Sequence, residues 1–265
     1  RLTVAKEFEE PRLLLDNDKD GIFETEKIVT KQVVNCQGLW WDERTLYGSC
    51  TGKGPGLEGT GLFKMADTNG DDVADVVEKV TPFLGTIGDH GPHAIRRGPD
   101  GSMRLHVGNM SDVPKAAIDP GSPIRNLREG YLLPPYFDPR GHAVGVLAPG
   151  SQVYRYNPDK KTFTSMFAAM RNAYDHAYNL AGEAFSFDSD MEWDINLPWF
   201  RDTRTVHGTR RAASGCMSRC ATRSAPSSSN RARPAQMAPL PGTTMMRTAR
   251  SSSRWSKACA TFPTS

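Results

Sequence analysis

The sequence predicts an all-β protein, a partial β-propeller, on three observations. Residues 1–207 show short strand signals between turn residues, with little sustained helical periodicity. The strands fall into two kinds of hairpin that alternate along the chain. One hairpin of each kind supplies four strands in about 50 residues, the size of a propeller blade.

The first kind is long and acidic at its turn. Leu13-Leu14-Leu15 lead through Asp16-Asn17-Asp18-Lys19-Asp20-Gly21 into Lys27-Ile28-Val29. Leu62-Phe63-Lys64-Met65-Ala66 lead through Asp67-Thr68-Asn69-Gly70-Asp71 into Val76-Val77-Glu78-Lys79-Val80, and a weaker copy joins Val153–Asn157 to Thr162-Phe163-Thr164. The second kind is short. It runs from Gly38–Trp41 through Asp42-Glu43 to Thr45–Gly48, from His93–Arg96 through Pro99-Asp100-Gly101 to Arg104–Val107, and from Asp175–Tyr178 through Ala181-Gly182 to Ala184–Phe187. Asp-Gly and similar pairs suit tight turns because they tolerate positive φ. This gives about three blades, the second interrupted by a Pro/Gly-rich insertion near 110–148. Three blades cannot close a ring, and open blades expose strand edges. The chain therefore reads as part of a larger propeller cut short at Gly208; a β-sandwich is the competing fold.

Charge divides the chain at the same place. Residues 208–265 contain no Asp or Glu, and they hold ten of the 33 basic residues. The preceding residues carry the other 23 against all 30 acidic ones, about −7. The basic average thus describes neither part. The acidic body argues against nucleic acid or an anionic membrane surface as partner. Residues 208–265 compete among a disordered Ser/Arg/Pro/Ala tail, a basic nucleic-acid arm and an out-of-frame translation. The abrupt change inside a strand signal favours the last. Cys216, Cys220 and Cys259 match no common metal or haem spacing. Arg1 is not an initiator, so the start is expected to be processed or incomplete. No signal peptide and no transmembrane segment are recognisable in the sequence.

Three constellations carry chemistry. Asp16, Asp18, Asp20 and Glu24 form D-x-D-x-D-G-x-x-E, and Asp67, Asn69, Asp71 and Asp75 form D-x-N-x-D-D-x-x-D. Alternate oxygens around a sharp turn can wrap Ca²⁺ in a structural site; a solvated acidic turn is the alternative. The first loop is the better candidate, because Asp72 replaces the glycine of the second. Next, Gly88-Asp89-His90-Gly91-Pro92-His93 precedes an inner strand, the part of a propeller that faces its central funnel. A histidine there can act as general base or simply pack. Last, four carboxylates crowd residues 188–194, with two Trp and two Arg in residues 193–204, following Asn172 and Asp175. They suit a planar anionic cofactor or a sugar, or a hydrogen-bonded corner between blades.

These segments resemble the glucose/sorbosone dehydrogenase superfamily of six-bladed propellers, with most likeness to the membrane-bound dehydrogenase proteins of planctomycete-type bacteria. The carrying motifs are Gly88–Ile95 through Gly98–Gly101, Pro139–His142 to Ala148–Gly150, Arg171–Asp175, Phe187–Asp194 and Leu197–Arg201. The resemblance implies a truncated six-bladed propeller whose cofactor is pyrroloquinoline quinone (PQQ), assisted by Ca²⁺. It implies that a histidine takes the proton of a sugar or polyol hydroxyl while hydride passes to the quinone, and it places His90, ten residues before Asp100, in that role. Cofactor-binding roles fall by resemblance to His93, Arg140, His142, Asn172, Asp175, Asp190, Arg204 and His207. An electron acceptor such as a cytochrome or quinone and a periplasmic or cell-envelope location are implied likewise. Cys36 and Cys50 are a candidate disulfide. The Gly-rich, aromatic segment that follows the His207 position in the family is absent, as are the later blades and a Cys-x-x-Cys-His haem motif. The chain as written is therefore expected to be inactive. A non-catalytic propeller that binds carbohydrate or protein, and a Ca²⁺-dependent propeller lactonase, are the alternatives.

Overall fold

The computed structural model describes residues 1–85, 87–122, 150–190, 200 and 202–208, with the side chain of Ala169 excepted. They belong to the first of two compact units, Arg1–Thr222 and Arg223–Ser265. The described residues form an all-β, propeller-like fold of sixteen strands in antiparallel sheets, with one 3-10 turn at Lys115–Ala117 and no α-helix. None of them forms a helix long and apolar enough to cross a membrane.

The strands are laid down almost in chain order. β1 (Leu2–Val4), β2 (Arg12–Leu15) and β3 (Thr25–Ile28) make a three-stranded first sheet. β4 (Val33–Asp42), β5 (Thr45–Gly52), β6 (Gly59–Ala66) and β7 (Val76–Pro82) make a four-stranded second sheet. β8 (Leu84–Gly85) pairs with β11 (Ser111–Asp112) as a short ribbon. The third sheet runs β9 (Pro92–Arg97), β10 (Met103–Val107), β12 (Ser151–Asn157) and β13 (Thr162–Met170), with residues 108–150 inserted between its second and third strands. The fourth comprises β14 (His176–Tyr178), β15 (Ala184–Asp188) and β16 (Arg204–Gly208).

All six hairpins expected from the turn chemistry form, at registers such as Leu39↔Gly48, Arg104↔Arg96 and His176↔Ser186. The described residues thus hold two complete four-stranded blades flanked by two of three strands. Strand β1 carries too few residues for an alternation to be read.

Alternation of side chains across each strand glues the sheets into a stack. On β6, Leu62 belongs to the core between the second and third sheets, with Ile95, Leu105, Tyr154 and Phe163. Its neighbour Phe63 points the other way, into the core shared with Leu13, Val29 and Leu46. On β12, Tyr154 faces the second sheet while Val153 joins Phe167, Met170 and Val206 toward the fourth. The second and third sheets therefore bury both faces, as blades do. The first strands of successive blades abut. A Cβ on Gly38 of β4 would fall 2.0 Å from the carbonyl oxygen of His93 on β9. Cys36 on β4 and Cys50 on β5 form a disulfide with Cα atoms 4.0 Å apart.

Candidate functional site

The start of β9 carries the histidine pair. His90 is half-buried, and its Nδ1 lies 2.6 Å from Oδ1 of Asn109, which follows β10. An amide oxygen only accepts, so Nδ1 holds a proton there, and when the ring is neutral its lone pair sits on Nε2. The backbone fixes this pair of segments: Met110 N–H donates to the His90 carbonyl at 3.0 Å, and Gly108 N–H donates to that of Gly91 at 2.7 Å. Gly108 is required by space. A Cβ there would lie 2.4 Å from His90 O, and 2.6 Å from both Gly91 O and Asn172 Oδ1.

His93, three residues on, is 1% exposed. Its Nδ1 faces Gln37 Oε1 at 3.2 Å, and its Nε2 faces Asn172 Oδ1 at 2.9 Å. Tyr174 stacks on the ring with centroids 4.0 Å apart. Burial pushes the Tyr174 phenol up, and the charge of Asp89 adds to that. Asn172 reaches back to donate from Nδ2 to the Asp89 carbonyl at 2.7 Å. Four segments distant in sequence (36–38, 88–93, 108–110 and 171–175) thus converge at the starts of the inner strands.

Asp188 anchors the fourth of these segments. Its carboxylate is 1% exposed and accepts the backbone N–H groups of Arg171 at 2.8 Å and Asn172 at 3.1 Å. Arg204 on β16 donates to its other oxygen at 2.9 Å. Asp175 binds Arg96 through two nitrogens and also accepts His176 N–H at 2.7 Å. Asp190 lies half-buried just beyond β15. His207 stands apart: it stacks on Phe185, with centroids 4.8 Å apart, and lies 3.7 Å from Glu183. There it lines a cavity of 410 Å³ with Pro99, Asp100, Arg104 and Tyr178, at the turn end of the blades. That cavity is about one strand length, roughly 20 Å, from His90. Arg140 and His142 lie outside the described residues. Gln37, Gly108, Asn109, Tyr174 and Asp188 join the cluster without having been singled out individually from sequence.

Behind the cluster sits a second imidazole pair. His106 and His176 are buried with ring centroids 5.6 Å apart. His106 Nε2 faces Ser151 Oγ at 3.1 Å, whereas among the described residues His106 Nδ1 and both nitrogens of His176 have no hydrogen-bond partner. Burial drives the His176 pKa down to about 4 against the upward pull of Asp175, and drives that of His106 well below normal with help from His176 and His93.

The two acidic loops are built alike, hydrogen bond for hydrogen bond. Asp16 accepts from Lys19 and Gly21 N–H, as Asp67 does from Gly70 and Asp72. Asp20 caps Ile22 as Asp71 caps Val73, and Glu24 holds Asn17 N–H as Asp75 holds that of Thr68. Each loop needs two left-handed residues and has one glycine to place: Lys19 (φ 65°) and Gly21 (93°) in the first, Gly70 (92°) and Asp72 (71°) in the second. Their charges differ. One carboxylate oxygen from each of Asp16, Asp18, Asp20 and Glu24 can gather within 4.8 Å, a donor set suited to a hard cation. In the second loop Arg44 sits on Asp67, and Arg1 and Lys27 on Asp72, so fixed cations already occupy it.

No protein-family model matches the chain, and no curated protein matches it. Among solved structures it is similar to the holo form of the PQQ domain of pyranose dehydrogenase from Coprinopsis cinerea. The likeness has a TM-score of 0.49 and 13% sequence identity, over 78% of this chain and 48% of that one. The chain thus spans about half the length of that structure.

Proposed function

We propose that residues 1–207 are part of a PQQ-dependent sugar or polyol dehydrogenase-like propeller in which His90 is the general base. The observation that carries the reading is the His90–Asn109 contact at 2.6 Å, at the start of an inner strand. It holds the ring in the tautomer that presents a basic Nε2, the state needed to take a proton from a substrate hydroxyl. The motifs of residues 88–101 and 171–201 support the same reading by resemblance. PQQ, when bound, supplies the two-electron acceptor; the chain's part is to orient the hydroxyl and hold the proton at Nε2. Tyr174, 49% exposed beside the histidines, offers an aromatic face for a planar, carboxylate-bearing group, while Asn172 braces the Asp89 carbonyl behind it. Ca²⁺ belongs in this proposal as a structural ion of the Asp16–Glu24 loop. A periplasmic or cell-envelope setting is proposed with it, supported by the Cys36–Cys50 disulfide.

The test, on a propeller extended in frame beyond residue 207, is titration with PQQ in Ca²⁺-containing buffer, followed by the quinone absorbance, beside dye reduction with aldoses and polyols. Binding that weakens at least tenfold in Asn172→Ala supports the site, and sugar-dependent dye reduction that vanishes in His90→Ala supports the base. Turnover unaffected by His90→Ala overturns the role of His90. Absence of PQQ binding in that extended propeller overturns the cofactor.

A further inference from the structure

Two side-chain amides face His93, and the backbone dictates which way each is turned. Asn172 lies 2.7 Å from the Asp89 carbonyl, and Gln37 lies 3.1 Å from the Gly88 carbonyl. A carbonyl can only accept, so each amide must direct its NH₂ group there. Both amide oxygens are then left pointing at the imidazole, one at each nitrogen, at 2.9 and 3.2 Å. A neutral histidine has one N–H and would set its lone pair against an oxygen lone pair. Turning either amide over would set its oxygen against a backbone carbonyl. Only a ring with protons on both nitrogens satisfies all four contacts.

We infer that His93 is carried as an imidazolium, a fixed buried cation at the start of β9. Its role is that of a positioning residue: it draws a carboxylate-bearing ligand toward the strand starts and keeps the neighbouring His90 ring uncharged. The second part rests on the reading of His90 as base; the first does not. A buried charge needs compensation, and the surroundings offer it. Two amide dipoles point at the ring, Tyr174 stacks on it at 4.0 Å, and Asp89 is close enough for its charge to act on Tyr174. Among the described residues, the titratable and charged groups around it include Asp89 and His90 on its own segment, Arg171 and Tyr174 on the segment leading to β14, and His106 on β10 with His176 behind it. The charge on His93 also disfavours protonation of His106.

Long-range ¹H–¹⁵N correlation NMR on the histidine-labelled 265-residue chain decides the matter without any turnover. His93 should show both ring nitrogens protonated from about two units below to about two units above the ordinary imidazole value of about 6.5. A single-proton tautomer at the upper end overturns the inference. In Gln37→Leu, which removes one acceptor, His93 should titrate near the ordinary value; continued double protonation overturns the two-acceptor explanation. In His93→Gln the titration midpoint of His90 should move upward. An unmoved midpoint overturns the coupling between the two rings while leaving the role of His90 to the turnover test.

Discussion

Replacing Gly108 by alanine should disturb stability and site together, and the size of the effect can be worked out. The new methyl would lie 2.4 Å from His90 O and 2.6 Å from Gly91 O and Asn172 Oδ1. A carbon and a carbonyl oxygen rest at about 3.3–3.6 Å, so the 88–91 segment must retreat by roughly 1 Å. That retreat strains two backbone hydrogen bonds, Gly108 N–H to Gly91 O and Met110 N–H to His90 O. Each is worth about 1 kcal/mol net, and overpacking adds about 1–3 kcal/mol. A total of about 3–5 kcal/mol lowers the midpoint of thermal unfolding by about 10 °C in a domain of this size. His90 moves with its carbonyl, and a displacement of about 1 Å at a reacting group costs about 100-fold in rate. The assay is thermal unfolding followed by circular dichroism, paired with the ring ¹⁵N signals of His90. An alanine chain with an unchanged midpoint and unmoved His90 signals would refute the argument that close approach at Gly108 sets the site.

Three further outcomes are expected. Reducing the Cys36–Cys50 bridge, or replacing both by serine, releases a loop of 14 residues' separation and should cost about 3 kcal/mol; urea midpoints with and without reductant measure it. His176 and His106 are held neutral by burial, His176 down to about 4. The unfolded chain then binds more protons below about pH 6.5, so this stability is complete above that value and is lost as pH falls toward about 4, by about 3 kcal/mol for His176 alone. A His176→Phe chain should show a shallower loss in that window, and an equal slope would point to other groups. Ca²⁺ at about 100 times its dissociation constant should stabilise the chain by about 2.7 kcal/mol through the first acidic loop. The gain should disappear in Asp18→Asn with Asp20→Asn and persist in Asp71→Asn. Calorimetric titration that finds no heat with the native chain would remove Ca²⁺ from the description.

The hairpins were legible because each is a local matter. The turn Pro99-Asp100-Gly101 and the alternation on either side of it determine the pairing without reference to the rest of the chain. The equivalence of the acidic loops was legible from spacing alone, although the exchange of glycine between their two left-handed positions was not. The disulfide stayed open in sequence because nothing there places Cys36 opposite Cys50; the pairing of β4 with β5 does. The site was less legible, and for a physical reason. His93 meets Gln37 across 56 residues and Asn172 across 79. No periodicity encodes contacts between different blades. Crowding of charge near Asp188 gave a signal, but a buried carboxylate that braces Arg171, Asn172 and Arg204 leaves the same composition as one that greets a ligand.

The near-sequential strand order has a kinetic corollary. Most sheet contacts close over short loops such as residues 53–58 between β5 and β6, whereas β12 must find β10 across residues 108–150. Loop-closure entropy grows with the logarithm of length, which puts this one pairing about 2 kcal/mol above a six-residue connection. The third sheet should therefore assemble last, its β9–β10 hairpin waiting with one edge unpaired. Because the start of β9 and the end of β10 carry His90, His93 and Asn109, refolding followed at those residues should lag behind refolding followed at Trp40 and Trp41 in the second sheet.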